Sequence, residues 1–235
     1  MILKVNNIKV FYGEAIALSG LSLEIKRGEF IAVIGSNGAG KTTLVNTVSG
    51  LIHPEKGTIE FKGERIDNLP AHEIVKRGIV QIPEGRKLFG KLSVNENLLA
   101  GAYLLKSNEK IKQLLEEVYR MFPILKKRKN QLADTLSGGE QQMLAIGRGL
   151  MSDGELIIFD EPSLGLMPSF VKQVAETIKE MHVRGYTILL IEQNVQEALK
   201  LADRAYVIQN GNIILSGASK DLLNSDLVKK AYLGL

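Results

Sequence analysis

The residue types and spacing in one glycine-rich loop favour contact with phosphate groups. The loop reads Gly35-Ser36-Asn37-Gly38-Ala39-Gly40-Lys41-Thr42-Thr43. The apolar run FIAVI precedes this loop, and the helical pattern KTTLVNTV begins inside it. Glycines allow consecutive backbone N–H groups to surround phosphate oxygens. The Lys41 side chain can reach the β- and γ-phosphates, and the Thr42 hydroxyl can ligate Mg²⁺. The loop therefore predicts a site for nucleotide phosphates.

Two adjacent acidic residues, Asp160 and Glu161, follow the apolar run LIIF. A buried strand would bring Asp160 to its carboxyl end, where the carboxylate can hold a metal ion through water. The next carboxylate, that of Glu161, can polarise an attacking water molecule. Together with the glycine-rich loop, this pair predicts hydrolysis of a nucleotide as well as its binding.

A second glycine pair occurs in LSGGEQQ, residues 136–142, at the start of another helical pattern. The N-terminus of a helix presents free N–H groups and the positive end of the helix dipole to an anion. Ser137, Gly138 and Gly139 are therefore candidates to contact phosphate. One short chain thus contains two candidate phosphate-binding loops.

The elements that hold these loops show an α/β pattern. Strand-like runs come first (LKVNNIKVFY, LSLEI, FIAVIG and TIEFKG) and return later as ELIIFDE and TILLIE, around the helical run PSFVKQVAETIKEMHVRG. Residues 93–151 carry helical patterns instead. We therefore expect one domain with an α/β core, residues 1–92 and 152–235, and a helical insertion at about 93–151. The tail SKDLLNSDLVKKAYLGL predicts one or two short helices.

Composition excludes several classes of protein. The 235 residues include no cysteine, which excludes a disulfide scaffold and a cysteine-ligated metal. His53, His72 and His182 lack metal-ligand spacing and are interpreted as surface or turn residues. The net charge is only +4, and the basic run KKRK at 126–129 is interpreted as a solvated helix end, so no nucleic-acid partner is predicted.

No apolar run reaches the roughly 20 residues that a membrane span needs. The N-terminal stretch MILKVNNIKVFYG alternates like a strand and does not have the basic-then-apolar pattern of a signal peptide. These two observations predict a soluble protein made in the cytoplasm.

The combination of GSNGAGKTT, LSGGEQQ and LIIFDE resembles the motifs of the ATP-binding cassette (ABC) family, and the resemblance extends over essentially the whole chain. It implies a P-loop NTPase (RecA-like) core with an N-terminal antiparallel β subdomain and an inserted helical subdomain. In this family two cassettes pair head to tail, and the signature loop of one closes over the γ-phosphate held by the other. The resemblance implies that Ser137, Gly138 and Gly139 contact a partner's ATP. Lys41 and Thr42 would hold this chain's own Mg²⁺-ATP.

Some residues receive a role only through this resemblance. Tyr12, in VFYGEAIAL, matches the aromatic residue that stacks on adenine. Glu84 stands where many relatives have a glutamine that touches Mg²⁺ and senses the membrane subunit, while Gln81 is expected inside a strand. Gln193 replaces a histidine that contacts the γ-phosphate; its amide can donate a hydrogen bond but cannot carry charge. Gly165, in PSLGL, leaves a carboxylate missing from a loop that crosses to the partner.

The segments PEGRKLF, LSVNENL, LSGGEQQMLAIGRGLM, PSLGL and IEQN are similar to those of one branch, the ATPase subunits of bacterial branched-chain amino acid importers. Such importers combine two different ATPases, two membrane subunits and an external binding protein, and this chain resembles the second ATPase. The resemblance implies a hetero- or homodimer at the cytoplasmic face of the plasma membrane that powers uptake of branched-chain or related amino acids. The segment 84–97 is expected to present a groove, lined by Leu88, Phe89 and Leu92, to a coupling helix of the membrane subunit.

Two other classes of protein carry the same motifs. A soluble ABC ATPase of translation or DNA repair usually has two cassettes or a long coiled-coil insertion, and 235 residues leave room for neither. A non-catalytic, nucleotide-gated interaction module commonly loses the carboxylate at the position of Glu161. Neighbouring genes for two membrane proteins and a second cassette would separate the first alternative from a transporter subunit.

Overall fold

The computed structural model describes residues 1–225, 228 and 229, which form two β-sheets surrounded by helices. The strands are β1 (Leu3–Tyr12), β2 (Ala15–Ile25), β3 (Phe30–Ile34), β4 (Lys56–Phe61), β5 (Glu64–Arg65), β6 (Ile79–Ile82), β7 (Leu156–Asp160), β8 (Thr187–Glu192), β9 (Arg204–Gln209) and β10 (Asn212–Ala218). The helices are α1 (Lys41–Val48), α2 (Ala71–Arg77), α3 (Val94–Gly101), α4 (Asn108–Met121), α5 (Pro123–Lys127), α6 (Gly138–Leu150), α7 (Pro168–Val183), α8 (Val195–Leu201) and α9 (Ser219–Asn224). None of the helices in the described part of the chain has the length and apolar character needed to cross a membrane.

The larger sheet has six strands in the order β10-β9-β3-β8-β7-β6. The five strands from β9 to β6 are parallel, and β10 is antiparallel at one edge. Every residue of β3, β7 and β8 is buried, which agrees with their continuous apolar runs and with a sheet covered on both faces. Because these strands are parallel, the loops that follow them meet at the same edge of the sheet.

The smaller sheet is antiparallel, in the order β2-β1-β4-β5. Its apolar side chains share one hydrophobic cluster with α1 and with Ile31 and Val33 of β3. Buried and exposed residues alternate along β1 with the period of two that a half-covered strand requires, except at Asn6 and Asn7, which are both exposed where the register shifts. This sheet therefore packs over one face of the parallel sheet and supports the loop between β3 and α1.

Helices α3 to α6 occupy the region between β6 and β7, and their buried side chains share a second cluster with Phe30 of β3 and Phe159 of β7. Both α3 and α6 begin with a capping box, in which a serine hydroxyl accepts from a backbone N–H while a glutamate accepts from the serine N–H. The α/β fold class is therefore the one expected from the sequence. The division into a core and a helical subdomain, with limits at 93 and 151, stays a prediction.

Several elements were not expected from the sequence. These are α2, β5, α8 and the C-terminal strands β9 and β10. His182 is half-buried on α7, where its Nε2 lies 3.1 Å from the Gly28 carbonyl oxygen and its ring packs edge-on against Phe30. Its interpretation as a surface residue is therefore incomplete. Helix α9 lies within the predicted helical tail, and residues 226, 227 and 230–235 of that tail lie outside the described residues.

Candidate nucleotide-binding site

The glycine-rich loop connects β3 to α1 and closes over the Lys41 side chain. Gly40 has a φ of 107° and Gly38 a φ of 76°, in the left-handed region that glycine enters without steric cost. The buried Lys41 ammonium donates to the carbonyl oxygens of Gly35 at 3.0 Å and Ser36 at 3.2 Å. The loop thus holds a cation at the place where phosphate oxygens are predicted to bind.

Glu161 follows β7 directly and adopts an uncommon backbone conformation. Its φ is 46°, which for a residue with a side chain costs on the order of 1–3 kcal/mol and persists only where the surrounding structure fixes it. The Glu161 N–H donates to the Ile191 carbonyl at 3.0 Å, and its Oε1 lies 3.3 Å from Lys41 Nζ. The structure therefore brings the predicted catalytic carboxylate and the lysine together.

Asp160, the last residue of β7, is buried, and its Oδ1 has no hydrogen-bond partner among the described residues. The pKa of Asp160 is raised from 3.8 to about 6, mainly by burial and also by the negative charges of Glu161 and Glu84, while Lys41 opposes the shift. An unpartnered buried carboxylate is rare in proteins. A divalent cation would satisfy this oxygen and favour the ionised form.

The surroundings of Asp160 fit Mg²⁺ bound together with a nucleotide. A cavity of about 430 Å³ is lined by Asp160, Thr42, Glu84, Asn46 and other residues of the sheet edge. Within the described residues, no three His, Cys, Asp or Glu side chains cluster as a metal site of their own. Mg²⁺ commonly uses one or two carboxylates and completes its shell with substrate phosphates and water. Thr42 and Asp160 would hold the ion, which supplies positive charge to neutralise the phosphates.

A larger cavity of about 700 Å³ lies over the glycine-rich loop and has the size of a nucleotide site. Ten residues predicted from the sequence line it: Tyr12, Asn37, Gly38, Gly40, Lys41, Thr42, Thr43, Glu84, Glu161 and Gln193. Gly35, Ser36 and Ala39 belong to the same loop without lining the cavity. The structure therefore brings Tyr12, at the end of β1, to the same cavity as Gln193, just after β8.

Five residues that line this cavity were missed from the sequence: Ile16, Ala17, Leu164, Asn210 and Gly211. Asn210 and Gly211 form the turn between β9 and β10, and the Gly211 N–H donates to the Ala39 carbonyl at 2.9 Å. The Asn-Gly pair is a hairpin signal that the sequence does contain. Its contact with the glycine-rich loop depends on strand order, which the local pattern does not specify.

The signature residues Ser137, Gly138 and Gly139 do not line this cavity; they lie at the N-terminal end of α6. The Ser137 hydroxyl donates to Glu140 Oε2 at 2.8 Å, and Glu140 pairs with Arg128 at 3.1 Å. Gly139 is required by packing as well, because a Cβ at this position would overlap the Phe170 ring of α7. The two predicted phosphate-binding loops are therefore separate within this chain.

A third cavity of about 550 Å³ opens beside β6, between α2 on one side and α3 and α6 on the other. We call it the lateral groove; three of its lining residues, Leu51, Phe89 and Tyr103, are exposed apolar side chains. Three residues, Leu88, Phe89 and Leu92, were predicted to line a docking groove, and of these Phe89 lines the lateral groove. Leu88 instead packs partly buried against the core, and Leu92 is exposed outside the lining.

The parallel sheet, the glycine-rich loop after β3 and the acidic pair at the end of β7 define a P-loop NTPase. The sequence profile of the ABC transporter family matches residues 18–164, which include all three motifs, so the chain belongs to this family and is an ABC-type ATPase.

Relatives over the full length support this assignment. The chain is 44% identical to the high-affinity branched-chain amino acid transport ATP-binding protein BraG of Pseudomonas aeruginosa, over 99% of each chain. It is 36% identical to the lipopolysaccharide export system ATP-binding protein LptB of Haemophilus influenzae, over 99% of this chain and 97% of the other. The crystal structure of a nucleotide-free ATP-binding cassette from an ABC transporter superposes with a TM-score of 0.86 at 29% identity, covering 100% of this chain and 99% of the other.

Proposed function

We propose that this chain is the ATP-hydrolysing subunit of an ABC importer and couples hydrolysis to uptake of branched-chain or related amino acids. The observation that carries this proposal is the 44% identity, over almost the entire chain, to a branched-chain amino acid transport ATP-binding protein. The site geometry supports the ATPase part of the proposal, and the lateral groove supports a membrane partner.

The catalytic roles follow from the contacts in the site. Lys41, which donates to the Gly35 carbonyl in this structure, would neutralise the β- and γ-phosphates of bound ATP. Thr42 and Asp160 would hold Mg²⁺, which would supply further positive charge. Glu161 orients the attacking water from its position beside Lys41. Catalysis of this kind depends on positioning and on neutralising charge, so it requires every group to be in place at the same time.

Three further residues complete the nucleotide site that we propose. Tyr12 is exposed at the rim of the cavity, where its ring can stack on the base. Gln193 donates an amide hydrogen bond toward the γ-phosphate. Glu84 lies at both the nucleotide cavity and the metal cavity, where a carboxylate can accept from water bound to Mg²⁺.

The signature loop acts on a second nucleotide. Since Ser137, Gly138 and Gly139 do not line the nucleotide cavity, we propose that they complete the cavity of a second cassette packed head to tail. The partner is a second ATPase subunit or another copy of this chain. In this arrangement residues 1–92 and 152–235 form the ATP-binding core, and residues 93–151 form the helical subdomain that carries the signature loop.

The lateral groove is the proposed docking site for a helix of a membrane subunit. Its apolar side chains Leu51, Phe89 and Tyr103 are exposed, and exposed apolar surface of this kind marks interaction sites. Two such permease subunits, and an extracytoplasmic binding protein acting through them, would complete the importer. The chain would then sit peripherally at the cytoplasmic face of the plasma membrane.

Uptake by whole cells tests the proposed substrate class. Cells that lack the gene for this chain would be complemented with the wild-type chain or with Lys41→Ala, and uptake of labelled leucine, isoleucine and valine would be measured. Uptake restored by the wild type alone supports the proposal. Equal uptake in the uncomplemented cells and in both complemented strains would contradict the proposal. The similarity to LptB favours lipopolysaccharide export as the second candidate, so surface lipopolysaccharide would be measured in the same strains.

A further inference from the structure

The segment that follows β6 is held in a strained conformation. Gly85, Arg86 and Lys87 have φ values of 72°, 65° and 44°, so three consecutive residues are left-handed. For Arg86 and Lys87 this costs on the order of 1–2 kcal/mol each, because Cβ approaches a carbonyl oxygen. Such strain persists only where neighbouring contacts fix the backbone.

Two buried or half-buried side chains provide those contacts. Arg148 of α6 donates through Nη2 to the Arg86 carbonyl at 3.2 Å, and its guanidinium lies 5.3 Å from the centre of the Phe89 ring. The Asn97 side chain, fully buried on α3, accepts from the Phe89 N–H and donates to the Phe89 carbonyl, both at 3.0 Å. The backbone around Arg86 is therefore anchored to α3 and α6.

The Arg86 side chain contacts the first turn of α6 at two places. Its Nη1 donates to Gln141 Oε1 at 3.0 Å. Its Nη2 lies 3.3 Å from the position that a Cβ at Gly138 would take, so the guanidinium packs on the Gly138 backbone. Gln141 also donates to the Ala133 carbonyl at 3.2 Å, which fixes the side chain that receives Arg86.

We infer that Arg86 is a positioning residue for the signature loop: it ties the first turn of α6 to the segment that begins at Glu84. This inference rests on the proposed function, because it assigns Arg86 to the signature loop that completes a partner's site. Glu84 faces this chain's own nucleotide and metal cavities, whereas Gly138 faces neither. Arg86 thus connects a segment that lines this chain's own nucleotide cavity with the loop proposed to complete the cavity of a partner.

A first experiment tests the contact in the full-length chain without nucleotide. Hydrogen exchange would be compared for wild type, Arg86→Ala and the control Arg120→Ala, which removes an exposed arginine of α4. We expect exchange at Glu140 and Gln141 to become about 10-fold faster in Arg86→Ala alone, because loss of a charged hydrogen bond loosens this turn. Amides of residues 35–43 should not change. Equal exchange at Glu140 and Gln141 in all three proteins would overturn the inference.

A second experiment separates a role in the partner's site from a role in this chain's own site. In the Glu161→Gln background, ATP-dependent pairing and ATP affinity of the monomer would be measured with and without Arg86→Ala. We expect pairing to weaken about 10-fold while monomer affinity stays the same. The pairing affinity of Arg86→Lys should lie between those of the Glu161→Gln parent and the Arg86→Ala variant, because a single ammonium cannot reproduce the guanidinium fork.

Two results distinguish a failure of the inference about Arg86 from a failure of the proposed pairing. Weaker monomer affinity with unchanged pairing would overturn the inference, because Arg86 would then serve this chain's own site. A parent Glu161→Gln chain that does not pair at all would contradict pairing between copies of this chain. The exchange at Glu140 and Gln141 would still decide the role of Arg86.

Discussion

Asp160, the proposed metal ligand, shows how a buried carboxylate can lower stability. Its carboxyl is buried with Oδ1 unpartnered, and burial raises its pKa to about 6. Between pH 4 and pH 6 the folded chain keeps a proton that the unfolded chain releases, so the free energy of unfolding falls as pH rises through this window. Above it, the buried charge is fully present and its destabilising effect is complete.

The first prediction follows from this fall in the free energy of unfolding with rising pH. Without Mg²⁺ at pH 8, Asp160→Asn should raise the free energy of unfolding by about 1–3 kcal/mol, because the variant has no charge to bury. Near pH 4 the gain should largely disappear. Denaturant unfolding at the two pH values measures it, with the exposed Asp221→Asn as the control. A variant less stable than wild type at pH 8 would show that the carboxylate makes a stabilising contact.

The second prediction concerns Glu161. Glu161→Gln should keep ATP affinity and lower turnover by about 10²-fold or more, because the amide cannot orient and deprotonate water as the carboxylate does. Glu176→Gln, an exposed change on α7, serves as the control. Steady-state hydrolysis and equilibrium binding of ATP are the measurements. Near-normal turnover in the purified variant would remove Glu161 from the mechanism.

At the scale of residues, the sequence predicts most of the nucleotide site because its motifs are local. Lys41, Thr42 and Glu161 are identified by spacing and by the strand or helix beside them. Asn210 and Gly211 are not, since they reach the loop only because β9 lies beside β3 in the sheet. The contact of Arg86 with Gly138 escapes prediction for the same reason, because the two residues meet only after α6 packs beside β6.

At the scale of elements, Asn97 holds together the turn between β6 and α3. It is fully buried and makes hydrogen bonds to both polar backbone groups of Phe89 and to the carbonyls of Leu92 and Ser93. The sequence predicts a helix from LSVNENL but gives no sign of this role. An asparagine side chain carries both a donor and an acceptor, so it can replace strand pairing for a loop that has none.

The third prediction concerns this clamp. Asn97→Ala should lower the free energy of unfolding by about 1–3 kcal/mol, because the partly buried N–H and carbonyl of Phe89 lose their hydrogen-bond partner. Asn108→Ala, an exposed change on α4, should have a much smaller effect. Denaturant unfolding followed by circular dichroism compares the two. Equal stabilities of the two variants would mean that the turn around Phe89 is held by other contacts.

The fourth prediction concerns the lateral groove between elements α2, α3 and α6. Phe89→Glu and Tyr103→Glu should abolish stimulation of ATPase activity by membrane subunits and spare ATP binding, because a buried charge in an apolar contact is costly. The matched control is Val183→Glu, another exposed apolar residue, on α7 outside the groove. If the groove variants also lose ATP binding, this region is core structure and the docking assignment is wrong.

Elements were predicted in proportion to how strongly their own pattern specifies them. The fully buried strands β3, β7 and β8 appear in the sequence as continuous apolar runs. Strand β10 is only partly covered, with exposed and half-buried residues alternating along the edge of the sheet, so its pattern is weaker. Its pairing with β9 is fixed by the sheet as a whole.

At the scale of the whole molecule, the two loops are proposed to serve two different nucleotides. The glycine-rich loop and the signature loop lie apart in this chain, at the starts of α1 and α6. In the proposed head-to-tail pair, a single copy would present half of each of two sites. Symmetric head-to-tail pairing would join these halves, with the same two surfaces used by both partners.

Complementation between two inactive variants tests whether the two loops serve different nucleotides. Lys41→Ala disables the glycine-rich loop, and Gly138→Glu places a negative charge at the signature loop. Each variant alone should have almost no ATPase activity. In an equal mixture, some pairs contain one chain of each variant. In such a pair the altered glycine-rich loop and the altered signature loop belong to the same site, and the other site has both wild-type loops. Head-to-tail pairing predicts that ATPase activity returns in the mixture. If pairing is random and the sites act independently, half of the pairs are mixed and each has one intact site of two, so the rate is about a quarter of the wild-type rate. If the wild-type chain pairs with itself and the mixture is still as inactive as either variant alone, both loops serve the same nucleotide, and head-to-tail sharing of two sites is contradicted.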